Sequence, residues 1–401
     1  MDTQDLMFRQ FVARYLITKE SQETSNVSAH VMSAIADASV LPPCAKPIRN
    51  GTSLLPRQVN WAEGDATPIP KPLSATPSRD DPLPEADALI VTWTADEVAA
   101  LARVMTPKVS PRVHEQTAAG AWYEYHRNFD LLKGDLRTNP PWNVHPAIAN
   151  DRLGSYFMTE IAGKSVVVFK SELHLNQDGP AAMKEGRKLP LVRLTKQIIA
   201  EVSPKYFIST GTAGGTQLDH ALGDVVVAVK GIFDCNDPKD FRTAPFNCKQ
   251  FGNDWWIDEK LFPRAQELMV SVTEPPIGVP HLGYADTPLV SAALTKPGIR
   301  VFKTLPIVTT DYFEFGTTTN GLDKKGCAVE MDDAMLAMAI ADLPEAQQPK
   351  YAFVRNVSDP VLNGRLDPWL QAMWAVYYYE HFGIVTSYNS ALTCWAILAA
   401  A

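Results

Sequence analysis

Downstream of Pro84 the chain alternates short β-branched apolar runs with stretches of helical period, and few folds accept that pattern. Runs at Ala88–Val91, Val166–Phe169, Tyr206–Ile208, Val225–Val229, Arg300–Val308 and Tyr351–Val357 read as strands. Helical spacing covers Ala95–Met105, Leu191–Val202, Asp332–Ala341, Pro368–His381 and Ser387–Ala399. Strands alternating with helices predict an α/β fold: a central mixed, twisted sheet of roughly eight to ten strands, covered by helices on both faces. Two stretches, Trp122–Pro146 and Gly231–Trp256, fit neither pattern and read as long loops, the kind that carry function or an interface.

Upstream the pattern is different. Of the 31 prolines, ten fall between Pro42 and Pro84. A stretch so rich in proline holds neither a helix nor a central strand, so it reads as an extended linker or strap. The expected organisation is a helical appendage over 1–41, a Pro-rich strap over 42–85 and one large α/β domain over 86–401.

Composition excludes several classes of function. A net charge of −8 argues against a nucleic-acid or anionic-membrane partner. The apolar stretch Ala391–Ala401 is far shorter than the ~18 residues a membrane span needs. Met1-Asp2-Thr3-Gln4-Asp5 has no basic segment followed by an apolar run, so no secretory signal is read there and a cytoplasmic location is expected. The five cysteines are scattered without a CxxC pair, and the eight histidines lack ligand spacing. No metal or organic cofactor is expected, and most of the histidines read as ordinary surface or core residues.

Four segments carry chemistry-bearing residues. Ser209-Thr210-Gly211-Thr212-Ala213-Gly214-Gly215 follows a strand and reads as a glycine-rich loop, either a ligand cradle or a tight turn. It is neither a P-loop nor a dinucleotide fingerprint. Glu330-Met331-Asp332-Asp333 opens an apolar helix, where acidic residues cap the helix or one carboxylate grips a diol. Ser358-Asp359-Pro360 ends a strand, the place where α/β sheets hold ligands, although Ser-Asp-Pro is also turn chemistry. Thr94 and Glu97 have capping-box spacing, which gives Glu97 a purely structural alternative.

Each signal is weak alone, but their order is specific. Glu97-Val98, the glycine-rich segment with Leu222-Gly223-Asp224, Thr310-Asp311-Tyr312-Phe313, Val329-Glu330-Met331-Asp332 and Arg355-Asn356-Val357-Ser358-Asp359 follow one another along the chain. This order resembles the nucleoside phosphorylase/nucleosidase superfamily, and within it the methylthioadenosine/S-adenosylhomocysteine nucleosidase branch. The resemblance spans about Ala88 to Leu398 and leaves out the first 85 residues and the two long loops. It implies a three-layer fold and a homo-oligomer acting on a small-molecule nucleoside or nucleotide.

The resemblance also implies roles. Asp359 matches the acid that protonates the leaving purine, and Glu97 matches the glutamate that activates water. Thr210, Gly211, Thr212 and Ala213 fall on the segment that holds water or phosphate. Phe313 takes the place of the ring stacked on the base, and Glu314 meets the base edge. Glu330, Met331 and Asp332 fall on the ribose-binding segment, where the family usually has glutamate in place of Asp332. Trp369 is placed on the 5′ side, as an apolar lid or as a core residue that follows a helix-starting proline.

Bond cleavage at an N-glycosidic centre needs an acid for the base, a carboxylate near the cationic sugar and a base for water. Asp359, Asp332 and Glu97 supply that set. Hexameric bacterial phosphorylases carry a phosphate-clamping arginine where this chain has Ser209, which favours water as the nucleophile. The expectation is an N-ribosyl hydrolase. The alternatives are a purine nucleoside phosphorylase with its clamp from Arg187, Arg193 or Arg242, and a non-catalytic nucleoside-binding or sensing protein on the same fold.

Overall fold

A computed structural model describes residues 55–136, 145–175, 189–217, 219–235, 241–270, 297–311, 314, 321–359 and 368–401, with only the helical backbone described for 368–381. The helical appendage expected over 1–41 lies outside these residues, as does Phe313.

Among the described residues thirteen strands form one mixed sheet. In chain order they are β1 (Ile69–Pro70), β2 (Ala88–Thr92), β3 (Tyr123–Tyr125), β4 (Gly154–Ile161), β5 (Lys164–Ser171), β6 (Tyr206–Gly215) and β7 (Val225–Ala228). There follow β8 (Lys230–Phe233), β9 (Gln250–Gly252), β10 (Ile299–Phe302), β11 (Ile307–Thr309), β12 (Ala328–Glu330) and β13 (Lys350–Asp359). The main path runs β1-β4-β5-β2-β6-β12-β11-β8-β9, while β13 pairs with both β6 and β7. The strands at the centre, β5, β2, β6 and β13, are parallel to one another, so their C-terminal ends share one edge.

Seven α-helices occur among the described residues: α1 (Ala95–Met105), α2 (Phe129–Leu132), α3 (Pro146–Ala149), α4 (Pro190–Val202), α5 (Pro263–Leu268), α6 (Asp333–Ala341) and α7 (Pro368–Ala400). Proline opens α3, α4 and α5, where its missing N–H costs nothing and its fixed φ is already helical.

Side-chain alternation builds the three layers. Ala88 and Ile90 of β2 face a core shared with α1 and α7, whereas Leu89 and Val91 face a second core shared with α4 and α6. The same switch occurs in β5, where Val166 and Val168 join the first core and Val167 and Phe169 the second.

Several expectations need correction. The sheet has more strands than eight to ten: Arg300–Val308 is two strands, β10 and β11, both supposed long loops contain strands, and β1, β4 and β12 lie outside the runs read as strands. Tyr123–Tyr125 pairs with β4, and Lys230–Phe233 with Gln250–Gly252, where short runs are held only by their neighbours. The two C-terminal helices are one continuous helix, α7, because His381 to Ser387 contains no breaker strong enough to interrupt a buried helix. Its segment Phe382–Ala400 is 19 residues with mean hydropathy 1.2, long and apolar enough to cross a membrane, contrary to the expectation from Ala391–Ala401. Here 89% of it is buried inside the fold. Its polar groups are met by the sheet: Asn356 Nδ2 donates to Thr386 Oγ1 at 2.8 Å, and Ser390 Oγ donates to Asn356 Oδ1 at 2.9 Å.

Residues 55–85 lie against the domain. β1 pairs antiparallel with β4, and Trp395 of α7 donates its indole N–H to Ala66 O at 2.7 Å. Arg264 at the start of α5 holds Asp65 at 2.8 Å.

Candidate active site

The site assembles at the C-terminal ends of β2, β5, β6 and β13. Beyond β2, Thr94 and Glu97 form a complete capping box at the start of α1. The glutamate does more than cap. Its Oε2 accepts from Thr94 N at 2.9 Å, Trp93 N at 3.1 Å and Thr92 Oγ1 at 3.1 Å. Its Oε1 crosses to β6 and accepts from Thr212 N at 2.7 Å and Thr212 Oγ1 at 2.8 Å. Glu97 is 4% exposed, so this buried carboxylate joins the ends of two strands.

The glycine-rich segment is not a loop. Ser209 to Gly215 is the second half of β6, held in parallel register by β13 through Asp359↔Gly214 and in antiparallel register by β12 at Gly214 and Gly215. A strand pattern broken by glycine looks like a turn in sequence, yet here the glycines serve close approach. A Cβ on Gly211 would lie 2.6 Å from Glu97 Oε1, and one on Gly214 would lie 2.9 Å from Asp359 Oδ2. Two of the three glycines thus make room for a candidate catalytic carboxylate. Thr210 and Ala213 are buried in this strand, and Thr212 is half-buried.

Asp359 ends β13. Ser358 Oγ donates to its Oδ1 at 2.8 Å. The residue as a whole is half-buried, but its carboxyl sits deep enough that burial pushes its pKa up to about 7, against the lowering effect of Ser358. An acid poised there holds its proton near neutral pH and can release it in a reaction.

The acidic segment at β12 divides its labour. Glu330 caps the entry to α6: its carboxylate accepts from Asp332 N at 2.6 Å and Asp333 N at 3.0 Å, and from Thr309 Oγ1. Asp333 accepts from Arg355 Nε at 2.8 Å and from the Ser209 hydroxyl as well. Arg355 also lies 3.0 Å from Glu330 and packs 4.8 Å from the Trp93 ring centre. One buried arginine therefore faces two buried carboxylates. Burial and the charge of Asp333 push Glu330 up to about 8 while Arg355 pulls it down, and burial raises Asp333 too. Both carboxylates raise the pKa of Arg355 despite its burial.

Asp332 turns elsewhere. Its Oδ2 accepts from His174 Nδ1 at 2.9 Å and its Oδ1 from Leu175 N at 3.0 Å, both just past β5. His174, which lies in none of the motifs read from the sequence, touches this acidic segment. Sequence gave no spacing signal for it, because its partner is far along the chain. Arg355 stands in the motif that ends at Asp359, although a register shift between Val357 and Asp359 breaks the strand alternation between them. Met331 is half-buried and Glu314 is buried, whereas Phe313 and the side chain of Trp369, which lies in α7, are outside the described residues.

Of the arginines considered as phosphate clamps, Arg193 is tied to Asp135 at 2.8 Å and to Leu131 O at 3.2 Å, Arg242 is exposed, and Arg187 lies outside the described residues. Among the described residues no group of three His, Cys, Asp or Glu side chains is placed to hold a metal ion.

The sequence profile of the phosphorylase superfamily matches residues 131–370, which hold β6, β12, β13 and the carboxylates of Asp332 and Asp359. The chain belongs to the phosphorylase superfamily. Glu97 precedes the matched region of this superfamily member. No curated protein sequence matches the chain. Solved structures with a similar fold include the 5′-methylthioadenosine/S-adenosylhomocysteine nucleosidase of Neisseria meningitidis in complex with methylthio-immucillin-A, 16% identical over 78% of this chain and 99% of that one, with a TM-score of 0.42. A mutant of the Helicobacter pylori nucleosidase with 5′-methylthioadenosine is 13% identical over 79% and 99% of the two chains, with a TM-score of 0.43. A mutant futalosine hydrolase of Helicobacter pylori is 13% identical over 80% and 100%, with a TM-score of 0.42.

Proposed function

We propose that this phosphorylase-superfamily member is an N-ribosyl hydrolase that cleaves the N-glycosidic bond of a purine nucleoside or nucleotide. The observation that carries the reading is Asp359, a carboxyl at a strand end with its pKa pushed up to about 7 by burial, set against Gly214. In this role Asp359 gives its proton to the departing base. Breaking the bond leaves electrons on the base and positive charge on the sugar, so the acid lowers the barrier on the leaving side.

Glu97 serves the other side. It accepts hydrogen bonds from Thr92, Trp93, Thr94 and Thr212 and, in this reading, orients water beside β6. Asp332 belongs to the ribose side. Phe313 stacks on the base and Trp369 covers the 5′ side in this reading.

The charge distribution supports water over phosphate. Glu97, Glu330, Asp332, Asp333 and Asp359 crowd one region, and Arg355 is already engaged by Asp333 and Glu330. Lys170 and Arg152, the cations near the end of β5, are held by Glu172 at 2.7 and 2.9 Å. A phosphate dianion placed among these carboxylates meets repulsion, and Arg355, Lys170 and Arg152 are already paired with carboxylates, whereas water carries no charge. The proposal places the enzyme in the cytoplasm as a homo-oligomer.

Base release from purine nucleosides in phosphate-free buffer tests the reading. Free ribose as the second product is the expected result. Ribose 1-phosphate formed only when phosphate is added would replace hydrolysis by phosphorolysis, and no release of any base would remove the enzymatic reading.

A further inference from the structure

Trp93, the residue after β2, lies in none of the motifs read from the sequence, yet the segments that carry the acids meet on it. Its backbone N–H donates to Glu97 Oε2 at 3.1 Å, and its indole N–H donates to Leu173 O at 3.0 Å. The centre of its ring lies 6.0 Å from that of His174 and 4.8 Å from the Arg355 guanidinium carbon. Trp93 is 1% exposed, so whatever it does for the site it does through these neighbours.

Leu173 belongs to the turn that closes β5. Ser171 holds it from the strand side, donating through Oγ to Leu173 O at 3.0 Å and accepting from Leu173 N at 3.0 Å. Two residues further on, Leu175 N donates to Asp332 Oδ1 at 3.0 Å, at the head of α6. Hydrogen bonds and short chain segments thus lead from Glu97 through Trp93 and this turn to Asp332. Tryptophan suits the junction because it joins a large apolar ring to one edge donor, whereas phenylalanine fills most of the space and donates nothing.

We propose that Trp93 is a positioning residue that sets the turn after β5, and through the Leu175 N–H the Asp332 carboxylate, in place relative to Glu97. The inference rests on the nucleosidase reading above for what Asp332 and Glu97 do, and adds the residue that spaces them. Groups that act on one bond must hold their spacing to about 0.5 Å, which requires a packed and hydrogen-bonded support. Glu97 is fixed by donors at its own helix entry. Asp332 is held from the β5 turn, and the indole ties that turn to the same entry.

The test compares the full chain with Trp93→Phe, which keeps a ring in the core and removes the N–H, and with Trp395→Phe as the control. Trp395 makes the same kind of bond, indole N–H to Ala66 O at 2.7 Å, in the core on the other face of the sheet. Trp93→Phe should speed amide exchange over Leu173–Leu175 about tenfold or more and lower kcat/KM for base release from adenosine by about the same factor. Trp395→Phe should lower melting temperature comparably with neither effect. In an Asp332→Ala background Trp93→Phe should cost nothing further in kcat/KM, because it acts through that carboxylate. Ser171→Ala loosens the same turn without touching the ring and should show the same two effects in smaller degree.

If Trp93→Phe only lowers melting temperature, with exchange and kcat/KM matching Trp395→Phe, Trp93 is a core residue and the proposal is overturned. An equal loss of kcat/KM with and without Asp332 overturns it as well, since the effect then reaches the site by another route. Full turnover in Ser171→Ala despite faster exchange at Leu175 has the same consequence. If the intact protein releases no base, the hydrolase reading falls by itself. Amide exchange and calorimetric affinity for formycin A, a non-cleavable C-nucleoside, then decide the proposal. A change in both with Trp93→Phe but not with Trp395→Phe upholds it, and no change overturns it.

Discussion

Gly211 of β6 and Glu97 of α1 lie against each other: a Cβ on the glycine would lie 2.6 Å from the carboxylate oxygen Oε1. The glycine is needed because a strand has approached a buried acid, and the acid is needed because it caps a helix and ties down Thr212. Gly211→Ala should displace Glu97 from Thr212 N and Oγ1. Overpacking of this kind costs ~1–3 kcal/mol. Melting temperature should fall by several degrees and base release by about 10²-fold or more, since positions near the reacting bond tolerate little displacement. A variant with full turnover would show that Glu97 at this position is structural only.

Asp359→Asn keeps the shape of the side chain and removes the transferable proton. Turnover should fall by ~10²–10⁴-fold with binding of a non-cleavable nucleoside retained. The pH profile gives an independent check. Because the carboxyl of Asp359 is raised from 3.8 to about 7, activity that needs its proton is present below about pH 7 and lost as pH rises through it. That alkaline limb should disappear in Asp359→Asn. Its persistence would assign the limb, and the acid, to another group.

Arg355 faces Asp333 and Glu330 in the interior. Arg355→Met leaves the two carboxylates uncompensated, and breaking a buried pair in this way costs ~3–5 kcal/mol. Denaturant titration should show that loss, and Arg355→Met combined with Asp333→Asn should recover part of it. Equal stability of the single and double variants would mean that the carboxylates had already taken up protons.

Glu172 is buried, which alone would raise its pKa, yet Lys170 and Arg152 outweigh burial and hold it at about 2. A lowered carboxylate pKa contributes stability that is present above its unfolded value of 4.5 and lost as pH falls towards about 2. Glu172→Gln should therefore reduce stability at neutral pH and flatten the acid dependence between these values. Thermal melts at pH 7 and pH 3 measure both effects, and an unchanged acid dependence would show that other carboxylates dominate it.

The sequence alone determined the layered α/β class, since the β-branched runs at Ala88, Val166, Tyr206 and Tyr351 are local features whose periods fix which residues face inward. It also showed which segments carry the acids, because Glu97 and Asp332 stand where an apolar helix opens and Asp359 follows an apolar strand run. Tertiary structure alone decided what those acids touch. The segment Ser209–Gly215 reads as a loop because glycine is locally unfavourable in strands, and only β12 and β13 on either side make it one. Tyr123–Tyr125 and Gln250–Gly252 are too short to declare themselves and exist through their partners. The contact of His174 with Asp332 joins residues 158 positions apart, and no local pattern records a distance of that kind. Local propensity is written along the chain, whereas hydrogen bonding, burial and pKa depend on neighbours that only folding supplies.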